Sequence, residues 1–240
     1  MPHPPFHVRR GEARAPFVFT VEHASAAVPD EYASLGLGPA ELADHVAWDI
    51  GAAALGHALA AAFAAPVVES GGSRLLVDCN RDLGDRDLIV EESHGLVVPG
   101  NRGLAAAARA ERIARWHAPY HAAVDDVLAG RPDTTILVSV HSFTPELAGE
   151  RRAFAVGVLY DDHFELAGAL ADALTATGLT VRHNEPYSGL AGLIYSAHVH
   201  GTRHGLRYLE LEVNNALLRD AAGITAIAAK VASGLRALLR

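Results

Sequence analysis

The chain has 240 residues, of which 50% are hydrophobic and 20% are charged, and we expect one domain covering residues 1–240. The formal net charge of −8 argues against nucleic acid or an anionic membrane as the main partner. The single cysteine, Cys79, excludes an intrachain disulfide, a Cys-x-x-Cys motif and an iron–sulfur cluster. Because the first residues also lack the apolar core of a signal peptide, we expect a cytoplasmic location.

The first half of the chain predicts strands, a long helix and a long loop. An apolar strand covers residues 16–22, and a helix begins after Pro39 and continues to about Phe63, where Pro66 follows. Short strands are predicted at residues 67–69 and 75–78. Residues 83–103 are polar and irregular, and a loop of this length inside a domain is usually functional or mobile.

The second half alternates between predicted helices and strands. We expect helices at 104–128, 164–177 and 222–239, and strands at 135–142, 154–160, 179–183, 193–198 and 206–213. Pro119 predicts a kink or a break in the first of these helices. Strands that alternate with helices are typical of an α/β fold. The sequence therefore predicts a three-layer sandwich around a mainly parallel mixed sheet.

Two predicted strands each deliver a histidine to the carboxyl edge of this sheet. His23 follows the strand at 16–22, and His141 ends the strand that begins near residue 135. Ligands bind at this edge in open α/β sheets, and paired histidines there indicate a metal site. A zinc enzyme uses three protein ligands, and the predicted first helix offers Asp44, His45 and Asp49 as the third. Asp49 lies in the most apolar surroundings, but spacing alone does not decide between His45 and Asp49.

Hydrolysis at a metal also requires a base, commonly a carboxylate. Glu210 and Glu212 point to one face of the strand at 206–213, because the side-chain period of a strand is two residues. Glu212 is nearer the carboxyl end and is our preferred base. Arg74 and Arg81 flank the apolar segment at 75–78, where a guanidinium group can form a bidentate pair with a substrate carboxylate.

Seven short motifs, in this order along the chain, resemble the N-formylglutamate amidohydrolase family. They are Glu22-His-Ala-Ser, His45-Val-Ala-Trp-Asp-Ile-Gly51, Ser73-Arg-Leu-Leu-Val-Asp-Cys-Asn-Arg81, Pro119-Tyr-His121, His141-Ser-Phe143, Asn184-Glu-Pro-Tyr-Ser188 and Leu211-Glu-Val213. Each motif is weak alone, but seven in order across nearly the whole chain are fairly specific.

The resemblance implies a fold similar to zinc carboxypeptidases and zinc-dependent hydrolysis of an N-acyl amino acid. In the named activity, N-formyl-L-glutamate gives formate and L-glutamate, a reaction of histidine degradation. The resemblance also implies site residues. These are zinc ligands at His23, Asp49 and His141, a base at Glu212, a carboxylate clamp formed by Arg81 with Arg74, and further pocket residues at Tyr187 and His198.

One departure from the family pattern concerns the residue after Asn214. Many similar sequences have an arginine shortly after the glutamate, whereas this chain continues with Asn215. This difference concerns the identity of the substrate more than the chemistry.

Two rival functions remain open from the sequence. One is a metal-free serine hydrolase that uses Ser139 or Ser142, although the chain lacks a Gly-x-Ser-x-Gly elbow. The other is a non-catalytic binding protein for a carboxylate ligand.

Overall fold

A computed structural model describes residues 3–147 and 149–239. Its strands are β1 (Phe6–Arg9), β2 (Phe17–Val21), β3 (Val67–Ser70), β4 (Glu92–Ser93), β5 (Leu96–Val97), β6 (Ile136–Phe143), β7 (Glu146–Leu147), β8 (Glu150–Arg151), β9 (Val156–Leu159), β10 (Val181–His183) and β11 (Arg207–Asn214). Its helices are α1 (Pro39–Leu42), α2 (Ala52–Phe63), α3 (Ala106–Arg112), α4 (Ala118–Leu128), α5 (Phe164–Ala176), α6 (Tyr195–His204) and α7 (Ala221–Ala237).

Seven of the strands form one mixed sheet in the order β1-β3-β2-β6-β11-β9-β10. Strands β3, β2, β6 and β11 are parallel to one another, whereas β1 and the β9–β10 pair run in the opposite direction. Every residue of β2 and β6 is buried, as expected for central strands that are covered on both faces. The predicted mainly parallel mixed sheet is confirmed.

Helices cover both faces of the sheet. On one face, α2, α5 and α7 pack through apolar residues such as Leu55, Leu170 and Leu235. On the other face, α4 and α6 contribute Val124 and Ala197 to a second core. The arrangement is the predicted three-layer sandwich. None of the described helices is both long and apolar enough to cross a membrane.

The predicted continuous helix between Pro39 and Phe63 is wrong. Only α1 and α2 are helical, and the segment between them forms turns. Gly51 stops the helix because it adopts φ 84°, a left-handed conformation that favours glycine. A side chain at this position would also collide with Leu218, whose Cβ would lie 2.4 Å from an added Cβ. Asp49 therefore lies in a turn that leads into α2, and its position does not depend on helical periodicity.

Two predicted strands are absent from the described structure, and the helix is not broken at Pro119, where a kink or a break was predicted. Residues 75–78 form turns, and their apolar side chains pack in a third core cluster. Residues 193–198 were expected to be extended, but most of them belong to α6. The helix around Pro119 continues because a π-helical turn, Ile113–His117, lies directly before α4. Proline is tolerated in the first turn of α4, where its missing N–H is least needed.

Candidate active site

His23, Asp49 and His141 meet at the carboxyl edge of the central strands. Strands β2 and β6 are parallel neighbours, so the segments at their carboxyl ends lie side by side. His23 lies two residues beyond β2, and His141 lies within the last part of β6. Asp49 approaches from the turn before α2, where its backbone N–H donates a hydrogen bond of 2.9 Å to the carbonyl oxygen of His23.

The three side chains point one atom each at a common centre. The distance between His23 Nδ1 and His141 Nδ1 is 3.1 Å, and Asp49 Oδ2 lies 2.9 Å from His141 Nδ1 and 3.5 Å from His23 Nδ1. Ligand atoms around a tetrahedral zinc ion are roughly 3.3 Å apart when each bond is about 2.0–2.1 Å. All three residues are buried. The spacing and the donor types therefore fit a tetrahedral divalent ion, so this group could bind a metal.

Carboxylates hold the far nitrogen of each histidine. His23 Nε2 donates to Asp78 Oδ1 at 2.7 Å, and His141 Nε2 donates to Glu22 Oε2 at 3.0 Å. Burial alone would raise the pKa of Glu22, but the hydrogen bond from His141 holds it below the usual range. Because both carboxylates are acceptors, they place the hydrogen on Nε2 and leave each Nδ1 lone pair facing the centre. Metal-binding histidines commonly have such partners.

Glu210 and Glu212 lie beside this group on β11. Glu212 is in register with His141 on the neighbouring strand, and both glutamates are buried. Glu210 Oε2 accepts a hydrogen bond of 3.0 Å from Asn80 Nδ2, whereas Glu212 Oε2 is buried without a partner among the described residues. Burial raises the pKa of Glu210 to about 7, and it raises the pKa of Glu212 well above its ordinary value. An unpaired carboxylate with a raised pKa is suited to proton transfer.

These residues line a cavity of about 370 Å³ that is large enough for a small ligand. Its wall includes Arg74, Arg81 and Tyr187. Arg74 donates to Asp78 at 2.9 Å and lies 3.6 Å from Asp49, so it neutralises carboxylates around the candidate metal group. Arg81 lies 3.3 Å from an aspartate four residues ahead of it. Burial raises the pKa of Tyr187.

The loop at residues 83–103 contributes part of the cavity wall. It contains the β4–β5 hairpin, and its lining residues include Arg86 and His94. His45 also lines the cavity, but its ring contacts Asp44 and does not join the group formed by the two strand-end histidines. Of the two candidates for the third ligand, the structure therefore groups Asp49, and not His45, with the histidines.

The structure does not bring His198 to this cavity. His198 lies on α6, where Nδ1 is 2.7 Å from Asp161 Oδ2 and 2.9 Å from the hydroxyl group of Tyr208. It is absent from the cavity wall. This position differs from the expectation that the family resemblance gave for His198.

Sequence reasoning missed three residues that hold the site together. Asp78 and Glu22 orient the two histidines, and Asn80 links Glu210 to the start of α6 through the backbone N–H of Ser196, at 2.9 Å. Glu22 adjoins His23, and both Asp78 and Asn80 lie directly beside Cys79 in a motif already noted. Polar residues that directly follow an apolar run were the available signal, but a sequence does not reveal their partners.

Two solved structures resemble this chain along almost their entire lengths. The first is the crystal structure of gene product Atu2144 from Agrobacterium tumefaciens, with 32% sequence identity and a TM-score of 0.93. The match covers 98% of this chain and 95% of that one. The N-formylglutamate amidohydrolase from Ralstonia eutropha JMP134 is 20% identical, with a TM-score of 0.75, and the match covers 98% of this chain and 97% of that one. The second likeness shows a shared fold.

A bacteriophage poly-gamma-glutamate hydrolase is more distant, at 9% identity and a TM-score of 0.51, over 98% of this chain and 90% of that one. No curated protein sequence matches this chain significantly. A family model described as N-formylglutamate amidohydrolase matches residues 15–219. Because this match covers most of the chain, the protein belongs to the N-formylglutamate amidohydrolase family.

Proposed function

We propose that the protein is a zinc-dependent amidohydrolase that cleaves the amide bond of an N-acyl amino acid. Family membership supports hydrolysis of an amide. N-formyl-L-glutamate, which would give formate and L-glutamate, is the favoured substrate. The observation that carries the proposal is the convergence of two imidazole nitrogens and one carboxylate oxygen beside Glu212, at the wall of a polar cavity.

His23, Asp49 and His141 would hold the metal. Two imidazole lone pairs and a carboxylate oxygen face one another within 3.5 Å, which is unfavourable without a shared cation or proton. A divalent ion bound there would supply Lewis-acid chemistry for activating water and polarising the amide carbonyl. Histidine and carboxylate ligands suit zinc, and three protein ligands leave a position open for catalysis.

Glu212 is proposed as the general base. Its Oε2 atom has no hydrogen-bond partner among the described residues, and the residue lines the cavity next to His141. It accepts a proton from the attacking water and then delivers that proton to the leaving nitrogen. Burial favours the protonated carboxyl group, so transfer to Glu212 is less unfavourable than transfer to an exposed glutamate.

Arg81 and Arg74 are proposed to hold the substrate, a small-molecule N-acyl amino acid, through its carboxylate. Both guanidinium groups lie at the cavity wall. Arg74 already contacts Asp78 and Asp49, so its main contribution is positive charge beside the metal group. Arg81 has one carboxylate contact at 3.3 Å and keeps further N–H donors for a bidentate pair. Tyr187 completes this part of the wall.

The serine-hydrolase alternative receives little support. Ser139 Oγ lies 3.0 Å from His141 Nε2, as a nucleophile and base would, but Ser139 is fully buried, outside the cavity wall, and donates to Glu22 at 2.6 Å. Ser142 lines the cavity but donates its hydroxyl to the carbonyl oxygen of Ile50 at 2.9 Å. Neither hydroxyl combines access to the cavity with a basic partner.

The decisive experiment compares metal-free and zinc-loaded protein. Formate release from N-formyl-L-glutamate is measured after chelation and dialysis, and again after one equivalent of Zn²⁺ is added. We expect activity only in the zinc-loaded protein, together with resistance to serine-directed phosphonates. Full activity after complete metal removal would contradict metal dependence. Binding of the substrate without turnover by the zinc-loaded protein would support the non-catalytic alternative.

A further inference from the structure

Arg152 is a cation beside the cavity with no assigned role. It directly follows the β7–β8 hairpin, and its guanidinium carbon lies 5.4 Å from the ring centroid of Tyr187 and 6.0 Å from that of Phe143. Both aromatic residues line the cavity. These distances correspond to cation–π contacts, which hold the flat guanidinium group in place. The Nη1 atom of Arg152 is buried and has no hydrogen-bond partner among the described residues.

The arginines of the cavity wall differ from Arg152 in their charge partners. Arg74 lies 2.9 Å from Asp78, Arg81 lies 3.3 Å from an aspartate, and Arg86 lies 3.5 Å from another. Within residues 3–147 and 149–239, no carboxylate lies within 4.0 Å of the Arg152 guanidinium. A partly buried guanidinium group with a free donor is costly unless an anion completes it.

The charge of Arg152 acts on two residues of the cavity wall, although Arg152 is not itself a lining residue. Burial lowers the pKa of His94, and the positive charges of His45, Arg74 and Arg152 lower it further. Burial and the charge of Glu212 raise the pKa of Tyr187, whereas a side-chain hydrogen bond with Arg152 and the charges of Arg152 and Arg74 act in the opposite direction. His94 and Tyr187 both line the cavity, so the field of Arg152 reaches the space that a substrate would occupy.

We propose that Arg152 binds the side-chain carboxylate of an acidic N-acyl amino acid, while Arg81 binds its α-carboxylate. This inference rests on the proposed function, whose favoured substrate carries two carboxylates, and it assigns the residue that recognises the second one. An acidic amino acid carries one carboxylate more than its neutral analogues, and Arg152 has an unused donor for it. A planar guanidinium group held by an aromatic ring is well suited to bidentate binding of a carboxylate.

The test compares two substrates that differ only at the side chain, N-formyl-L-glutamate and N-formyl-L-glutamine. In Arg152→Met, we expect kcat/KM for the glutamate substrate to fall about 100-fold, mainly through KM, as expected for a lost charge-assisted pair. The value for the glutamine substrate should change less than about 3-fold, because that substrate makes no such pair. Arg152→Lys retains the charge and should recover part of the preference.

Two control variants separate recognition from structure. Arg151→Met changes an exposed neighbour on the same hairpin and should leave the preference for glutamate intact. Arg81→Met should lower kcat/KM for both substrates by similar factors, because both carry an α-carboxylate. An unchanged preference in Arg152→Met, or equal loss with both substrates, would overturn the inference. If the zinc-loaded wild type hydrolyses neither substrate, the proposed function itself is rejected, and this inference with it.

Discussion

The Nδ1 atoms of His23 and His141 lie 3.1 Å apart although 118 positions separate the two residues in sequence. The parallel pairing of β2 with β6 brings their carboxyl ends together, and a carboxylate fixes the outer nitrogen of each ring. The histidines are thus oriented by the protein itself. Such preorganisation reduces the conformational entropy that the ligands lose when a metal binds. The outer carboxylates should therefore contribute measurably to metal affinity.

The first prediction concerns Asp78, which accepts a hydrogen bond of 2.7 Å from His23. In Asp78→Asn, the amide keeps the shape of the carboxylate but loses its charge. The ring of His23 is then held less firmly, and its Nδ1 atom is a weaker metal ligand. We expect zinc affinity to fall about 10- to 100-fold. Competition with a chromophoric chelator measures this affinity directly. Asp82→Asn, at an exposed position nearby, should retain wild-type affinity, and equal affinities in the two variants would refute the role of Asp78.

The second prediction concerns the assignment of the base. Glu212→Gln removes the group that accepts a proton but leaves the proposed ligands intact. We expect kcat to fall at least about 100-fold with zinc content unchanged. Formate release and metal analysis on the same preparation provide the two readouts.

Glu210→Gln is the matched comparison for that variant. Glu210 is equally buried, but its Oε2 atom already accepts a hydrogen bond from Asn80, so it is less available for proton transfer. We expect this variant to retain a clearly larger share of kcat than Glu212→Gln. The reverse order would move the base to Glu210, and full activity in Glu212→Gln would reject the assigned base outright.

The central strands could be predicted from sequence because their signal is local. Residues 136–143 and 207–214 are rich in β-branched and apolar side chains, and both segments form buried strands of the central sheet. The apolar run at 75–78 gives a similar signal but forms turns. Its side chains pack against residues such as Trp116 and Leu88, which are distant in sequence. A local pattern records that these residues are buried but does not record what covers them.

The candidate site was predictable in its residue types and only partly in its geometry. Histidines and carboxylates after apolar strands indicated His23, His141 and Glu212, since the carboxyl ends of parallel strands share one edge of the sheet. The position of Asp49 could not be derived from periodicity, because the turn at Gly51 replaces the predicted helix. The lack of a carboxylate partner for Arg152 among the described residues was also beyond prediction, because it depends on where every acidic side chain lies in three dimensions.

The third prediction connects this turn to the candidate site. Gly51→Ala forces a side chain into a left-handed conformation and places its Cβ 2.4 Å from the Cβ of Leu218. Strain and overpacking together should lower the free energy of unfolding by about 2–4 kcal/mol. Because Asp49 lies two residues earlier, zinc affinity should fall as well. Urea unfolding of the metal-free protein and chelator competition measure the two effects.

Gly168→Ala is a suitable control for this variant, because Gly168 lies within α5 and an added Cβ would meet no atom within 4 Å. Alanine is a better helix former than glycine, so this variant should be as stable as the wild type or more stable. A Gly51→Ala protein with wild-type stability and wild-type zinc affinity would show that the turn does not control the position of Asp49.

The fourth prediction concerns pH and a row of three histidines, of which His117 and His200 are buried and His121 is partly buried. His121 Nδ1 lies 2.7 Å from His200 Nε2, its Nε2 lies 3.2 Å from His117 Nε2, and His200 Nδ1 lies 2.8 Å from Asp125. Burial, followed by the charges of the two neighbouring histidines, lowers the pKa of His121 from 6.5 to about 3. His121 is therefore neutral in the folded protein at any pH well above 3.

A histidine whose pKa is lowered by folding makes the folded protein less stable as the pH falls. Between about pH 3 and pH 6.5, the unfolded chain binds a proton at His121 that the folded protein does not bind. Stability from this group is therefore complete above pH 6.5 and decreases as the pH falls through that value. At pH 5 the loss amounts to about 2 kcal/mol, from 1.36 kcal/mol for each unit of pH below the unfolded pKa.

The variant His121→Gln should therefore lose less stability than the wild type between pH 7 and pH 5, by about 2 kcal/mol. Urea unfolding in the presence of EDTA measures this difference, because metal release at low pH then makes no contribution. The comparison is between pH dependences, so a constant penalty for the lost hydrogen bonds to His117 and His200 cancels. His7→Gln, at an exposed position, should follow the wild type. If His121→Gln loses as much stability as the wild type over this range, the acid sensitivity arises from other groups, and His121 is not held neutral by burial.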